Sequence, residues 1–359
     1  MATKKFGKEL TSELIDAQAV EADSQISLLR AELSAVRSRY KSALKKIDRE
    51  RERGDSLATM QGIKAKLRKP KKTKTKTSAT MLFLLSDWHV EERVAPETVN
   101  DLNDFSLNTA DDRIAELLER FLACLRHERK AVDIKRVVIW LGGDFFSGHI
   151  HEDTAELAQL APLAATRWAG ERLRGVIDAI SKNVEEVIIT TSAGNHGRSN
   201  AGRPRIGTEL EHSFEQHLYL TMAAAEPCEN VTWQVGEGHL SYLDLDGFIV
   251  RFHHGHAYKY SGGVGGIHVG VSKGNASWNA IKAVDLTCFG HWHQFSWLRA
   301  GRYVSNGSLI GHSAYATRIK AAYEPPCQAA VVIDHKRNEV TKAFPIFCDR
   351  DLIARSRTE

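Results

Sequence analysis

Five short polar motifs, each placed directly after an apolar run, constrain the fold of this chain most strongly. The runs before the first two motifs, MLFLLS at 81–86 and RVVIWL at 136–141, have the length and composition of buried strands. Loops at the carboxyl ends of strands in an α/β sheet are presented to one point, so we expect the motifs to converge there. In chain order the motifs are Asp87-Trp88-His89, Gly142-Gly143-Asp144, Gly194-Asn195-His196, His253-His254-Gly255-His256 and Gly290-His291-Trp292-His293.

The pattern around these motifs predicts an α/β body. Further strand-like runs occur at 186–191, 247–252, 283–290 and 329–335, and helical patterns occur at 111–130 and 153–180. The segment 258–275 is rich in glycine, and we expect it to form a mobile lid beside the motifs.

Residues before this body have a different character. From Ile15 to Ile47 an apolar residue recurs alternately every four and every three positions, which is the spacing of a coiled-coil seam. The alternative is an amphipathic helix that lies on the body. We therefore divide the chain into a coiled-coil helix (1–62), a flexible basic linker (63–79), a catalytic domain (80–350) and a tail (351–359).

Charge is distributed unevenly along the 359 residues. Residues 1–80 carry 20 Lys and Arg against 10 Asp and Glu, whereas the remainder carries 29 against 35. The basic arm could contact nucleic-acid phosphates, or it could serve only as a soluble tether. Five scattered cysteines argue against a disulfide framework and a thiolate zinc site, and no apolar run reaches the length of a membrane span. With no apolar segment in the first ten residues, we expect a cytoplasmic protein without contact to a membrane.

The residue types in the motifs favour metal chemistry. Asp, His and Asn side chains without cysteine are suited to divalent ions such as Mn, Fe or Zn. In Asp-x-His and His-x-His, alternate side chains of an extended segment point the same way, so both can reach one ion. Seven such groups are too many for one ion and enough for two. Two cations about 3.5–4 Å apart can hold both the attacking and the departing oxygen of a phosphate ester.

In this order the motifs resemble those of the calcineurin-like metallophosphoesterase superfamily over about residues 80–335. The resemblance implies an α/β four-layer sandwich, in which two mixed β-sheets are flanked by helices, and a dinuclear metal centre. Mn is the metal we expect first, with Fe, Zn, Ni or Mg as alternatives. By position, the first metal is assigned to Asp87, His89 and His293, the second to Asn195, His254 and His291, and Asp144 is the bridging ligand.

The resemblance leaves several nearby residues to be assigned. A metal-bridging hydroxide is the expected nucleophile, and His196 is the expected catalytic residue, because it stands beside a ligand Asn and can protonate the leaving oxygen. Strand alternation turns His253 away, which favours His254 as the ligand, although either could serve. The proposed substrate contacts are His149 and His151 near the leaving group, His256 beside the ligands, and Arg198 and Arg203 on the phosphates. A helix entry at 149–153 and a solvated arginine loop are the alternatives.

One departure from the family pattern bears on the substrate. Many members follow Gly-Asn-His with an acidic residue, whereas Gly197-Arg198 follows here. This variant resembles phosphoesterases of phage and prophage genomes, for which the host cytoplasm is the expected location, and the architecture is similar to DNA-repair nucleases of the superfamily. We therefore predict a phosphodiesterase that acts as a nuclease on nucleic acid and that forms a homo-oligomer through the coiled coil. The alternatives are a phosphomonoesterase and a coiled-coil scaffold with a degenerate phosphoesterase domain.

Overall fold

The computed structural model describes residues 20–21, 23–48, 76–200, 206–259, 266–299 and 302–355. The chain divides into two units, Met1–Lys72 and Thr73–Glu359. In the first unit, residues 23–48 form a single helix, α1, on which every seam residue from Ile26 to Ile47 is exposed. The earlier seam positions Ile15, Ala19 and Ala22 lie outside the described residues, as do residues 63–75 of the predicted linker. The coiled coil and its partner stay predictions.

Strands and helices alternate in the first half of the second unit, and strands dominate the second half. The strands are β1 (Ser78–Leu85), β2 (Asp133–Leu141), β3 (Glu186–Thr191), β4 (Val231–Gln234), β5 (Ser241–Leu245), β6 (Phe248–His253), β7 (Leu286–Phe289), β8 (Ser296–Leu298), β9 (Tyr303–Ser305), β10 (Cys327–Asp334) and β11 (Glu339–Phe347). The helices are α2 (Leu107–Glu128), α3 (Glu152–Leu157), α4 (Pro162–Ser181), α5 (Phe214–Ala224), α6 (Gly266–Ile281), α7 (Ala314–Arg318) and α8 (Arg350–Arg355), and Pro96–Val99 form a 3-10 turn.

The strands form two mixed sheets. One sheet has the order β11-β10-β1-β2-β3-β4, in which β1 to β4 are parallel and β10 and β11 are antiparallel. The other has the order β5-β6-β7-β9-β8, with a parallel centre and antiparallel edges. The carboxyl ends of β1, β2 and β3 therefore meet at one edge, and those of β6, β7 and β9 meet at another.

Alternation along the strands builds four layers. On β1, Met81 and Phe83 join the apolar core under α2 and α4, where Phe83 stacks on Phe121 of α2 at 4.0 Å. Leu82 and Leu84 of the same strand face the second sheet and pack with its apolar side chains. A smaller cluster, which includes Tyr258 and Val271, lies between α6 and the outer face of that sheet. The layers run helix, sheet, sheet, helix, and the predicted α/β sandwich of two mixed sheets flanked by helices is confirmed.

The structure corrects two expectations about helices. The pattern at 153–180 forms two helices rather than one, because Pro162 begins a new helix as its first residue. The segment expected to be a lid is helical from Gly266 onward, although it is rich in glycine. A Cβ on Gly270 would lie 2.4 Å from the carbonyl oxygen of Lys259, so glycine lets this helix approach the preceding segment closely. Close packing therefore outweighs the low helix propensity of glycine.

Three smaller observations complete the second unit. Strand β1 begins at Ser78, within the last residues of the predicted linker, and α8 covers the first residues of the predicted tail. All five cysteine thiols are free. Among the described residues, none of the helices combines the length and the apolar character that crossing a membrane requires.

A buried arginine ties α2 to the chain that follows the second sheet. The guanidinium of Arg113 is 2% exposed and donates to the carbonyl oxygens of Leu309 and Ile310, each at 2.9 Å. It also donates to Asn103 Oδ1 at 2.7 Å and forms an ion pair with Asp349 at 3.0 Å. These acceptors come from three separate places in the sequence, so one side chain holds the helical layer against loops of the sandwich.

We expect Arg113→Met to lower the free energy of unfolding by about 3 kcal/mol, because it leaves the buried acceptors and the Asp349 carboxylate without a donor. Urea unfolding followed by tryptophan fluorescence measures the change. Arg120→Met is the matched control on the same helix, since Arg120 is 32% exposed and pairs only at the surface with Glu116. It should cost less than about 1 kcal/mol. Equal losses in the two variants would contradict this assignment.

Candidate metal centre

The five motifs lie together at one end of the two sheets. Backbone hydrogen bonds join the loops after β1 and β2, from Asp87 N to Gly143 O at 2.9 Å and from His89 N to Asp144 O at 3.1 Å. The loop after β1 is also joined to the loop after β7, because both carboxylate oxygens of Asp87 accept from His291 N at 3.0 and 3.1 Å. These contacts cross from one sheet to the other, so the site is built at their junction.

The first group of side chains consists of Asp87, His89 and His293. One potential ligand atom from each lies within 4.8 Å of the other two, and His293 Nε2 is 3.4 Å from Asp87 Oδ1. The Nδ1 atom of His89 is paired with the Ser147 hydroxyl at 2.8 Å. Its Nε2 atom is buried and has no hydrogen-bond partner within the described part of the chain. A buried imidazole nitrogen of this kind is costly, and coordination of a metal ion satisfies it.

The second group consists of Asp144, His254 and His291, with the Asn195 amide beside it. The Nδ1 atom of His254 is 2.7 Å from Gly142 O, and a carbonyl oxygen can only accept, so Nδ1 carries the hydrogen. When unprotonated, the Nε2 atom is therefore an acceptor. It faces two other acceptors, Asp144 Oδ2 at 2.9 Å and Asn195 Oδ1 at 3.1 Å. Three acceptor atoms that face one another require a positive charge between them, which a proton or a metal ion supplies.

The structure separates the two adjacent histidines of the fourth motif. The ring of His253 stacks on Phe289, and its Nε2 atom is 3.0 Å from the Tyr258 hydroxyl, on the side where α6 packs. His254 points the other way, into the second group. Strand alternation at the end of β6 therefore turns only His254 toward the possible metal position.

Buried charge shapes the protonation of the second group. Burial alone would raise the pKa of Asp144, but His254 and His196 offset this effect and hold the pKa well below its ordinary value. Burial lowers the pKa of His254, but Asp144, Asp87 and the hydrogen bond to Gly142 O together raise it to about 10. Asp144 is therefore ionised at neutral pH. Its charge also acts on His89 of the first group, so this carboxylate affects both groups.

Backbone strain is concentrated at the same residues. Five of the predicted ligands have a left-handed φ between +48° and +71°, a region that residues with a Cβ rarely adopt. Each such residue costs on the order of 1 kcal/mol or more and persists only where its surroundings hold it. Strain of this kind is typical of functional sites. The five residues are Asp87, His89, Asp144, His291 and His293.

Glu215, near the start of α5, is a buried residue of the site that the sequence pattern did not reveal. Its carboxyl oxygens accept from Phe145 N at 2.8 Å and from Gly194 N at 2.7 Å, so it fastens the second motif loop to the third. Burial and the nearby Asp144 raise the pKa of Glu215 to about 8, which reduces the negative charge at this place. The only signal in the sequence is an acidic residue in the first turn of a helix, which is common at helix starts.

Two more residues missed by sequence reasoning support the first group. The Ser147 hydroxyl, already paired with His89, donates to Glu92 Oε2 at 2.8 Å. This chain of hydrogen bonds orients the His89 ring in the way that outer carboxylates orient metal-bound histidines. Ser147 and Glu92 each lie three residues beyond a predicted ligand, but serine and glutamate at that distance are too common to be recognised.

The predicted catalytic histidine lies beside both groups. His196 N donates to Asp144 Oδ1 at 2.8 Å, and the rings of His196 and His89 meet edge to face at 5.0 Å. The His196 Nδ1 atom is 3.1 Å from Ser147 O, so Nε2 is the nitrogen that this contact leaves free of the backbone.

The predicted substrate residues are less uniform in position. The His151 ring is 6.1 Å from that of His196, whereas His149 is exposed. The Arg198 guanidinium donates to the carbonyl oxygens of Asn195 and Asn200, so it braces its own loop. Arg203 lies outside the described residues. The ring of His256 is 5.6 Å from that of His254, and it lies beside a carboxylate from another loop.

Comparisons with known proteins gave matches among solved structures only. No family model matches the chain, and no curated protein matches it in sequence. An archaeal phosphodiesterase is similar over 74% of this chain and 99% of its own, with 12% identity and a TM-score of 0.31. Vps29 from Entamoeba histolytica, solved with zinc, is similar over 75% and 99%, with 13% identity and a TM-score of 0.30. A predicted phosphoesterase from Streptococcus pneumoniae is similar over 75% and 98%, with 13% identity and a TM-score of 0.31.

We expect Ser147→Ala to weaken binding of the first-group metal about 10- to 100-fold, because His89 loses the partner that orients it. Titration of the metal-free protein with Mn²⁺, followed by calorimetry, measures the affinity. Ser181→Ala is the control, since the Ser181 hydroxyl donates within α4 to Asp178 O. Unchanged affinity in Ser147→Ala would show that the Ser147 hydroxyl does not position a ligand.

Proposed function

We propose that this chain is a divalent-metal-dependent phosphoesterase. The observation that carries the proposal is the pair of carboxylate and imidazole groups at the junction of the sheets. In this assignment the first cation is held by Asp87, His89 and His293, the second by Asn195, His254 and His291, and Asp144 contacts both. Two cations bound there would activate water and stabilise negative charge on a phosphate ester.

The protein's own residues supply position and a proton. The contact of His196 Nδ1 with Ser147 O holds one hydrogen on Nδ1, so a proton delivered to a leaving oxygen has to come from Nε2 of the doubly protonated imidazolium. The backbone bond from His196 to Asp144 fixes the imidazole at a set distance from the metal ligands. His151 adds a second imidazole on the same side, near the expected leaving group.

We further propose a phosphodiester of a nucleic acid as the substrate, cleaved as a nuclease would cleave it. The excess of ten positive charges in residues 1–80 favours contact with a phosphate backbone. Arg198, which lies beside the catalytic histidine, and the neighbouring Arg203 add positive charge to the third motif loop. A phosphomonoesterase is the second candidate, since the same ligands serve both reactions.

We expect Mn²⁺-dependent hydrolysis of bis-p-nitrophenyl phosphate and slow hydrolysis of the monoester, together with degradation of DNA or RNA. His196→Ala should lower kcat about 10²- to 10⁴-fold while the metal content is kept, because only proton transfer is lost. Asp144→Asn should lose activity and the metal bound by the first and second groups. His217→Ala, an exposed histidine of α5, serves as the control and should behave as the wild type.

The outcomes test the substrate class, the metal ligands and the presence of activity separately. Hydrolysis of the monoester alone would favour the phosphomonoesterase. If Asp144→Asn retained full metal content and activity, the ligand assignment would be wrong. Inactivity on every ester, with metal bound, would favour a scaffold whose phosphoesterase domain no longer works.

We also propose that α1 forms a homo-oligomeric coiled coil. Its exposed apolar seam, which includes Leu29 and Leu33, repeats at the coiled-coil period and would face water in a single chain. The double variant Leu29→Asp and Leu33→Asp should convert an oligomer into a single chain in light scattering, because it places charge in the seam. Ser38→Asp, on the opposite side of the heptad, should leave the mass unchanged. A wild type that is a single chain at high concentration would refute this proposal.

A further inference from the structure

A third cluster of metal-binding side chains lies next to the second group and shares no residue with it. It consists of Glu209, which precedes α5, His239 in the loop between β4 and β5, and His256 after β6. One potential ligand atom from each lies within 4.8 Å of the other two. The three side chains come from three separate loops, and each is only 9–11% exposed.

Several polar atoms of this cluster are left without partners. His239 Nδ1 lies 2.9 Å from Glu209 Oε1, which accounts for one nitrogen of that ring. His239 Nε2, both ring nitrogens of His256 and Glu209 Oε2 are buried and form no hydrogen bond with any described residue. His256 Nε2 approaches Glu209 Oε2 only to 3.3 Å. Buried polar atoms of native proteins are nearly always satisfied, so four such atoms in one place call for an additional ligand.

We propose that Glu209, His239 and His256 bind a third divalent transition-metal ion. Two imidazoles and one carboxylate are the donor set of many catalytic zinc sites, in which three protein ligands leave one position open. The imidazoles favour Zn²⁺ or Co²⁺ over Mg²⁺ and Ca²⁺, which prefer oxygen ligands.

The position of this cluster suggests its use. The His256 ring is 5.6 Å from that of His254 and 6.3 Å from that of His291, so the third ion would stand beside the second metal of the proposed pair. Its open coordination position could accept a phosphate oxygen of the substrate or of a neighbouring nucleotide. This places His256 in a metal site of its own, which differs from a direct contact between His256 and the substrate.

The proposal is tested by counting ions. The full chain, purified without a histidine tag, is dialysed against Zn²⁺, and bound zinc is measured by mass spectrometry. We expect three ions per chain in the wild type and two in Glu209→Gln and in His239→Ala. Glu211→Gln, an exposed glutamate two residues away, is the control and should keep three. Circular dichroism shows whether each variant is folded, and Co²⁺ absorption reports the loss of one nitrogen-ligated ion.

The proposed third metal site and the proposed dinuclear centre can be refuted independently of each other. Two ions in the wild type, unchanged by Glu209→Gln, would overturn the third site and leave the cluster as a hydrogen-bonded support. Loss of all ions in a folded Glu209→Gln protein would overturn it as well, because Glu209 would then serve the main centre. A single ion that is lost in Glu209→Gln but kept in Asp144→Asn would support the third site and refute the dinuclear centre.

Discussion

Two buried carboxylates at the junction of the sheets impose the constraint on which the rest of the structure depends. Asp87 and Asp144 are 0% and 1% exposed, and an uncompensated charge at such depth costs several kcal/mol. Backbone N–H groups of His291 and His196 donate hydrogen bonds to these carboxylates, and several imidazoles surround them. These donors come from loops of both sheets, so the sandwich must close before the charges are satisfied. A bound cation would add to the stability of the folded chain for the same reason.

The strain at the ligand residues belongs to the same arrangement. Each predicted ligand with a left-handed φ lies where the chain turns sharply after the end of a strand. Its side chain is therefore held by a loop of defined conformation. The neighbouring glycine allows the second and third loops to come together, since a Cβ on Gly194 would lie 2.1 Å from Asp144 Oδ1. The energy that holds these turns comes from the apolar core behind them. Rigid placement is what the proposed dinuclear site would need in order to bind two like charges close together.

The elements that sequence reasoning predicted well are those with a strong local pattern. The central strands β1, β2 and β3 are continuous apolar runs, and their ends mark the motifs, so the α/β body and the position of the motifs could be predicted from the pattern. The four-layer sandwich was predicted only from the family resemblance. The edge strands β4 and β8 are short, and β11 contains Pro345, so their local signals are weak. Helix α6 was missed because its glycines allow close contact with Tyr258 and Lys259. A local sequence rule cannot predict such a contact. Ser147, Glu215 and Glu209 act through residues distant in sequence, and their single-residue signals resemble those of any surface side chain.

The loop that begins at Gly194 is held at several points on either side of its arginine-rich middle. Glu215 holds Gly194, Arg198 braces the carbonyls of Asn195 and Asn200, and Ser199 N donates to His212 O at 2.7 Å. The backbone that carries Asn195, a predicted ligand, and His196, the predicted catalytic residue, is thereby fixed from Gly194 to Asn200. Substitutions or insertions between residues 200 and 206 should therefore leave Asn195 and His196 in place. If the proposed function holds, related chains can differ in substrate selectivity through that stretch while the predicted metal ligands stay the same.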